Sequence, residues 1–359
     1  MLPRYLLVTA LLTTIAMADD YTHSIETLRA LRVARLTTPN GWLTLVGRHQ
    51  LSPGPNTVGT ATENTIKLAA GPPYLGTVTL AADRTITLTP APSVLLEIDG
   101  VPAHGPAELV WQGDKPTRVT FGTASFYVMR RGENLYLRVR DRAAPNLAHF
   151  AGIDYFPIDP VWRIEATWVP FDPVKQVNIT NMIGITEPAS VQGKAVFTHA
   201  GRTVELLPID EGDGELFFVL TDLTAGEETY EASRFLYAAK PKDGKVVLDF
   251  NLMENPPCGF TAFATCPLPP KENRMPFRVT AGEKKYRGAH DCGPGPRSRG
   301  MMIRVQRDRR GEKETAHETG RAARKRHVDR QDREDRRPVR VADRRSGRQQ
   351  GGGLPADSG

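Results

Sequence analysis

The chain has 359 residues, with 47 Lys and Arg against 41 Asp and Glu, a net charge of +6. That charge sits at one end: residues 291–359 hold 17 Arg and 2 Lys against 11 Asp and Glu, a net of +8, so the rest is about neutral. A basic body built to grip nucleic acid is thereby excluded, and the high pI belongs to the tail.

The first 18 residues read as a secretory leader. MLPRYLLVTALLTTIAMADD has one cation, Arg4, an apolar run from Tyr5 to Met17, and Ala16-Met17-Ala18 as a small-residue cleavage signature before Asp19. The apolar run is shorter than the roughly 20 residues a bilayer core requires. Nothing later in the chain is apolar enough to span a membrane, so the mature protein is expected in the periplasm or outside the cell, without a membrane span.

One helix is expected next. In SIETLRALRVARL, Ser24 can cap, Ile25, Leu28, Leu31 and Leu36 fall near one face, Arg29, Arg32 and Arg35 lie on another, and Pro39-Asn40-Gly41 stops the segment. Short alternating runs then replace the helical period: TVTL (77–80), TITLT (85–89), VLLEI (94–98), SFYVM (125–129) and LYLRV (135–139), with turns such as Asp99-Gly100. After the proline-bearing connector 144–160 a second series follows: WRIEATW (162–168), KAVFTH (194–199), TVELL (203–207), LFFVL (216–220), RFLYA (234–238) and KVVLDF (245–250). The expected fold is mainly β: two antiparallel, sandwich- or barrel-like halves with one N-terminal helix. The divisions are a leader at 1–18, a helix-plus-β domain at 19–150, a second β domain at 151–290 and a tail at 291–359. The tail has no Phe, Tyr or Trp. It cannot bury enough apolar surface to offset chain entropy, which predicts disorder. Its texture changes abruptly after GEKKYRGAH (282–290), as in a foreign extension, and no aromatics interleave its arginines for base stacking. No nucleic-acid partner is expected.

Familiar catalytic patterns are missing. There is no G-x-S-x-G, no phosphate-cradling G-x-x-x-x-G-K, and no pair of histidines at metal-ligand spacing. His317-Glu318 begins like a zincin motif and has no partner. Residues 209–216, IDEGDGEL, are too short for a calcium loop and read as an acidic turn. No metal and no cofactor are expected. Cys258 and Cys266 have seven residues between them in DFNLMENPPCGFTAFATCPLPP. Three readings stand: a structural disulfide, which export favours and which would contribute roughly 2–3 kcal/mol by closing the loop, two buried thiols, or thiol chemistry.

From about Leu28 to Tyr286 the chain resembles the bacterial and archaeal family known as domain of unknown function 1684. The resemblance is carried by residues 42–60 (WLTLVGRHQLSPGPNTVGT), LRVRD (137–141), HFAGIDYFPIDPVWRIEA (149–166), LTDLTAGEETYEASRFL (220–236) and the run 246–286 that ends in AGEKKY. Three departures stand out. Glu231 and Ser233 occupy positions where the family tends to have glycines, His49 stands where it usually has Trp, and the family's chains normally end soon after AGEKKY. The stretch 53–68 also resembles the opening of a forkhead-associated β-sandwich, but Thr60 follows Gly59 where that family has Arg. Phosphopeptide binding is therefore not implied.

The family resemblance draws attention to seven polar residues. Arg138 and Arg234, with Asn251 and Asn255, would bind an anionic group. Asp249 or Asp141 would act as base and Tyr230 as acid. The competing reading makes them structural, with Arg–Asp pairs tying elements together and Asn beside Pro satisfying turn backbone. The expected function is an exported module binding a small anionic or carbohydrate-like ligand between its halves. The alternative is a hydrolase using the Asp, Tyr, Asn and Arg set.

Overall fold

A computed structural model describes residues 4–288 except 114 and 213, and of residues 4–18 the backbone alone. The expected tail, with Cys292 and His317, lies outside the described residues. The architecture is mainly β and mostly antiparallel, with helix α1 at Arg4–Leu36 and a single turn, α2, at Pro145–Ala148. No helix among the described residues is long and apolar enough to cross a membrane.

The first series comprises β1 (Leu45–Gln50), β2 (Gly54–Gly59), β3 (Ile66–Lys67), β4 (Gly76–Leu80), β5 (Ile86–Pro90), β6 (Leu96–Ile98), β7 (Val101–Ala103), β8 (Ala107–Glu108), β9 (Val119–Phe121), β10 (Ala124–Arg131) and β11 (Asn134–Asp141). They form a six-stranded sheet in the order β1-β11-β10-β9-β6-β7 and a five-stranded sheet in the order β3-β2-β4-β5-β8. Among the described residues only β2 and β3 pair in parallel in this series. The hairpin turns follow from residue chemistry. Asp99 (φ 50°) and Gly100 (φ 82°) both take positive φ between Ile98 and Val101, and Gly132 (φ 56°) does so between Arg131 and Asn134. Such turns match the twist of paired strands, and Gly and Asp adopt them at least strain. Val58, Val78, Ile86, Leu88, Phe126, Leu137 and Val139 fill the space between the sheets. Each contributes about 1.5–3 kcal/mol on burial.

The second series comprises β12 (Arg163–Thr180), β13 (Thr186–His199), β14 (Arg202–Leu206), β15 (Glu215–Leu220), β16 (Arg234–Ala239) and β17 (Lys245–Asp249). It makes a sheet in the order β14-β13-β12-β17 and the hairpin β15-β16. Trp162, Phe197, Phe218, Leu236, Leu248 and Phe250 form its core. Among the described residues no ladder joins a strand of one series to a strand of the other.

Strand β11 shows how the series meet. Leu135, Leu137 and Val139 face the first core, and on the opposite face Tyr136, Arg138 and Arg140 are also buried. The period of two thus places two guanidinium groups inside the protein. Both lie near the Trp42 ring, at 4.9 and 5.6 Å from its centroid. Trp42, Leu43 and Leu45 pack with Phe217, Phe235, Phe260 and Tyr286 in a third apolar cluster that fills the junction.

Helix α1 differs from expectation in two respects. It runs unbroken past Ser24, whose hydroxyl donates to the Tyr21 carbonyl at 2.7 Å inside the helix, so Ser24 caps nothing. The arginine face is also not a solvent face. Ile25, Arg32 and Leu36 are the buried positions, spaced seven and four apart as one helical stripe requires. Arg32 Nε donates to Glu283 Oε1 at 3.0 Å and lies 3.1 Å from Glu254 Oε2, and its Nη2 donates to the Asn255 carbonyl at 2.9 Å. Arg35 Nη2 reaches Glu254 Oε2 at 3.4 Å. Arg29 Nη2 donates to the Phe156 carbonyl at 3.2 Å, with its guanidinium 4.2 Å from the Tyr155 ring centroid. The helix ends at Leu36, and Gly41 folds back on it so closely that a Cβ there would sit 2.2 Å from the Leu36 carbonyl oxygen.

Removing one member of a buried charge cluster strands the others in a medium of low dielectric. Arg32→Ala is therefore expected to cost about 3–5 kcal/mol of unfolding free energy by urea titration. Arg35→Ala, at a partly exposed position, should cost roughly 1 kcal/mol. Ser233→Ala serves as the contrast. The buried Ser233 hydroxyl has no hydrogen-bond partner, so stability should stay level or rise by up to about 1 kcal/mol.

Candidate ligand cleft

The seven polar residues drawn from the motifs do not converge. Arg138, only 1% exposed, donates from Nη1 to the Tyr127 hydroxyl at 3.1 Å beneath Trp42. Asp141 ends β11 and accepts the Ala143 N–H at 2.9 Å, which turns the chain. Arg234, also 1% exposed, is paired with Asp222 at 2.7 Å and donates to the carbonyls of Val279 and Ala281. Asp222 in turn accepts from the Thr224 N–H, the Thr224 hydroxyl and the Val279 N–H. Burial lowers the Arg234 pKa, against the pull of Asp222. This pair stitches β16 to the segment 279–283.

Asp249 and Asn251 do meet, in a network closed by the helix. The Tyr21 hydroxyl lies 3.0 Å from both Asp249 oxygens and accepts from Asn251 Nδ2 at 3.0 Å. Asn251 also bridges to Asp159, accepting its N–H at 3.1 Å and donating to its carbonyl at 2.9 Å. Burial raises the Asp249 pKa, opposed by the hydrogen bonds from Tyr21 and Asn251. Asn255 supports the arginine lock, its N–H and Nδ2 donating to Glu283 Oε2 at 2.6 and 3.0 Å and its Nδ2 to the Lys284 carbonyl at 2.7 Å. Tyr230 is half-buried beside the cysteine loop, and burial raises its pKa. Among the described residues no hydrogen bond links Tyr230, Asp141 and Asp249 to one another.

The expected Cys258–Cys266 disulfide is not shown by the structure. The loop is closed by reciprocal hydrogen bonds instead. The Cys258 N–H donates to Cys266 Sγ at 3.2 Å and the Cys266 N–H to Cys258 Sγ at 3.4 Å. Arg48 Nη1, donating to the carbonyls of Phe263 and Ala264, and Arg131 Nε, donating to the Thr265 hydroxyl, hold the same loop from the first series.

A cleft of about 560 Å³ lies elsewhere, lined by Asp154, Tyr155, Glu227, Glu228, Lys284, Lys285, Tyr286 and Arg287. Backbone hydrogen bonds zip three distant segments into its floor. The Phe156 N–H donates to the Gly282 carbonyl at 3.0 Å, the Lys284 N–H to the Asp154 carbonyl at 2.8 Å and the Lys285 N–H to the Glu228 carbonyl at 2.8 Å. Residues 283–286 thus run between 154–156 and 227–228. Ion pairs ring the rim: Arg287 with Asp154, Lys285 with Glu231 at 2.8 Å, and Arg278 with Glu227 and Glu228. The Lys284 ammonium sits 4.6 Å from the Phe156 ring centroid. The Tyr155 hydroxyl is buried without a hydrogen-bond partner, and burial pushes its pKa up. Sequence reasoning quoted all three segments as motifs without selecting these side chains, since an isolated Lys or Glu reads as solvated surface. Among the described residues no cluster of three or more His, Cys, Asp and Glu could hold a metal.

These features define a β-rich protein with a strapping helix and a charge-balanced surface cleft. Residues 148–284 match the model of the family described as Protein of unknown function (DUF1684). The motifs at 42–60 and 137–141 lie outside the matched span. The chain is also similar to an uncharacterized protein of Haloarcula marismortui with a solution NMR structure. That similarity is 28% identity over 38% of this chain and 77% of the other, with a TM-score of 0.33. No curated protein matches the chain.

Two outcomes follow from these contacts. Asp222→Asn removes the charge that neutralises buried Arg234, so denaturant titration should show a loss of about 3–5 kcal/mol, whereas Asp249→Asn keeps hydrogen-bonding groups beside Tyr21 and should fold with little change. The second concerns pH. Burial, reinforced by Arg48, lowers the His49 pKa from its ordinary 6.5. The unfolded chain therefore binds a proton there first, and stability falls as pH drops below about 6.5. Melting curves of the wild type should show this loss, and His49→Phe should flatten it.

Proposed function

We propose that the protein is an exported, two-domain binding module that takes a small anionic or carbohydrate-like ligand in the cleft at 154–155, 227–228 and 284–287. Convergence carries this reading: three segments of the family resemblance, up to about 130 residues apart in sequence, present charged and aromatic side chains to one cavity. Its volume lies within the roughly 300–1,000 Å³ usual for small-molecule sites. The hydrolase alternative is weaker, because Asp249 spends both oxygens on Tyr21 and Asn251, and Tyr230 stands apart from it. Export rests on the leader, and cleavage after Ala18 leaves Tyr21, Arg29, Arg32 and Arg35 in place on the helix.

Two measurements test this reading. N-terminal sequencing of protein recovered from the periplasm or medium should begin at Asp19, and an intact Met1 terminus in the cytoplasmic fraction would overturn export. Calorimetric titration with panels of sugars, carboxylates and phosphates should give saturable heat without product formation. Lys285→Ala should weaken binding about tenfold, or roughly 1.4 kcal/mol. Product formation abolished by Asp249→Asn in a folded protein would favour the hydrolase instead.

A further inference from the structure

Resting on that binding reading, we infer that the ligand of the cleft is a zwitterion: a small amino-acid-like molecule with an ammonium group and a carboxylate on one skeleton. The lining carries three carboxylates, Asp154, Glu227 and Glu228, and three cations, Lys284, Lys285 and Arg287. Their order is set by the backbone, with the cations on the middle segment and the carboxylates on the two flanking ones. A simple anion placed on the lysines would meet like charge on either side. A neutral sugar would cover both signs of charge and neutralise neither, leaving desolvation uncompensated. A zwitterion answers both, its carboxylate against the central lysines and its ammonium against a flanking carboxylate.

The present ion pairs do not block this exchange. The Arg287 and Asp154 side chains are 78% and 45% exposed, and those of Arg278 and Glu227 are 45% and 73% exposed. Pairs so exposed are weak and readily exchanged for a ligand's own charges.

The test uses the full mature chain at low salt, titrated calorimetrically with ω-amino acids from glycine to aminohexanoate, with alkanoates and alkylamines of matched length, and with maltose. At least one ω-amino acid should bind saturably, at least tenfold tighter than its matched alkanoate and alkylamine. Lys285→Gln should weaken it tenfold, while Glu227→Gln, at an exposed position, should weaken the zwitterion and tighten the alkanoate. An alkanoate or maltose binding as tightly as any ω-amino acid overturns the zwitterion and leaves the cleft as a binding site. Saturable heat from none of the four classes overturns both.

Discussion

Arg32 is the contact on which the rest of the molecule depends. Its side chain satisfies two buried carboxylates, Glu254 and Glu283, and a backbone carbonyl, from a helix more than 200 residues away in sequence. Two carboxylates withdrawn from water need cations and hydrogen bonds at close range, or they protonate or pull their segments outward. The segment 148–284 that defines the family match contains both carboxylates and lacks the arginine. The packed form of that segment therefore includes a helix from outside it.

The same constraint positions the cleft. Glu283 is buried against Arg32, and the next residue, Lys284, lines the cleft with its ammonium over Phe156. Holding Glu283 inward therefore holds the chain that carries Lys284 at the cleft. Tyr155 is held in a related way, bridged to Glu283 on the backbone and stacked under Arg29. Helix, lock and cleft floor form one mechanical unit.

Most strands were legible because their residues agree with their surroundings. TITLT, LYLRV and LFFVL alternate or run apolar between strong turn signals, and each lies in a strand. The long hairpin β12–β13 was legible only at its base. Its outer half, VPFDPVKQVNIT, contains two prolines, and the ladder absorbs them in a bulge between Pro170 and Lys175. Strand β1 was missed because LVGRHQ carries Gly, Arg and His. His49 and Arg48 are partly buried there against the cysteine loop and the neighbouring strands. Helix α1 misled for a different reason: hydrophobic periodicity ranks arginine as a surface residue. Its partners Glu254 and Glu283 are invisible to any window along the helix.

The site was less legible than the fold, and Asn255 shows why. Matching motifs selects residues that cannot easily change, and a side chain that satisfies Glu283 and a buried carbonyl is as constrained as one that touches a ligand. Arg138, Arg234, Asp249 and Asn251 are of the same kind. Groups lining the cleft have the opposite character in a sequence: Lys284, Lys285 and Glu228 look like ordinary solvated charge until backbone pairing sets them side by side. What distinguishes them is rigidity, since the segment beneath them is clamped by Arg32 on one side and by paired backbone on the other. A clamped floor fixes where the backbone positions of those charges stand relative to one another, which a mobile loop would not do.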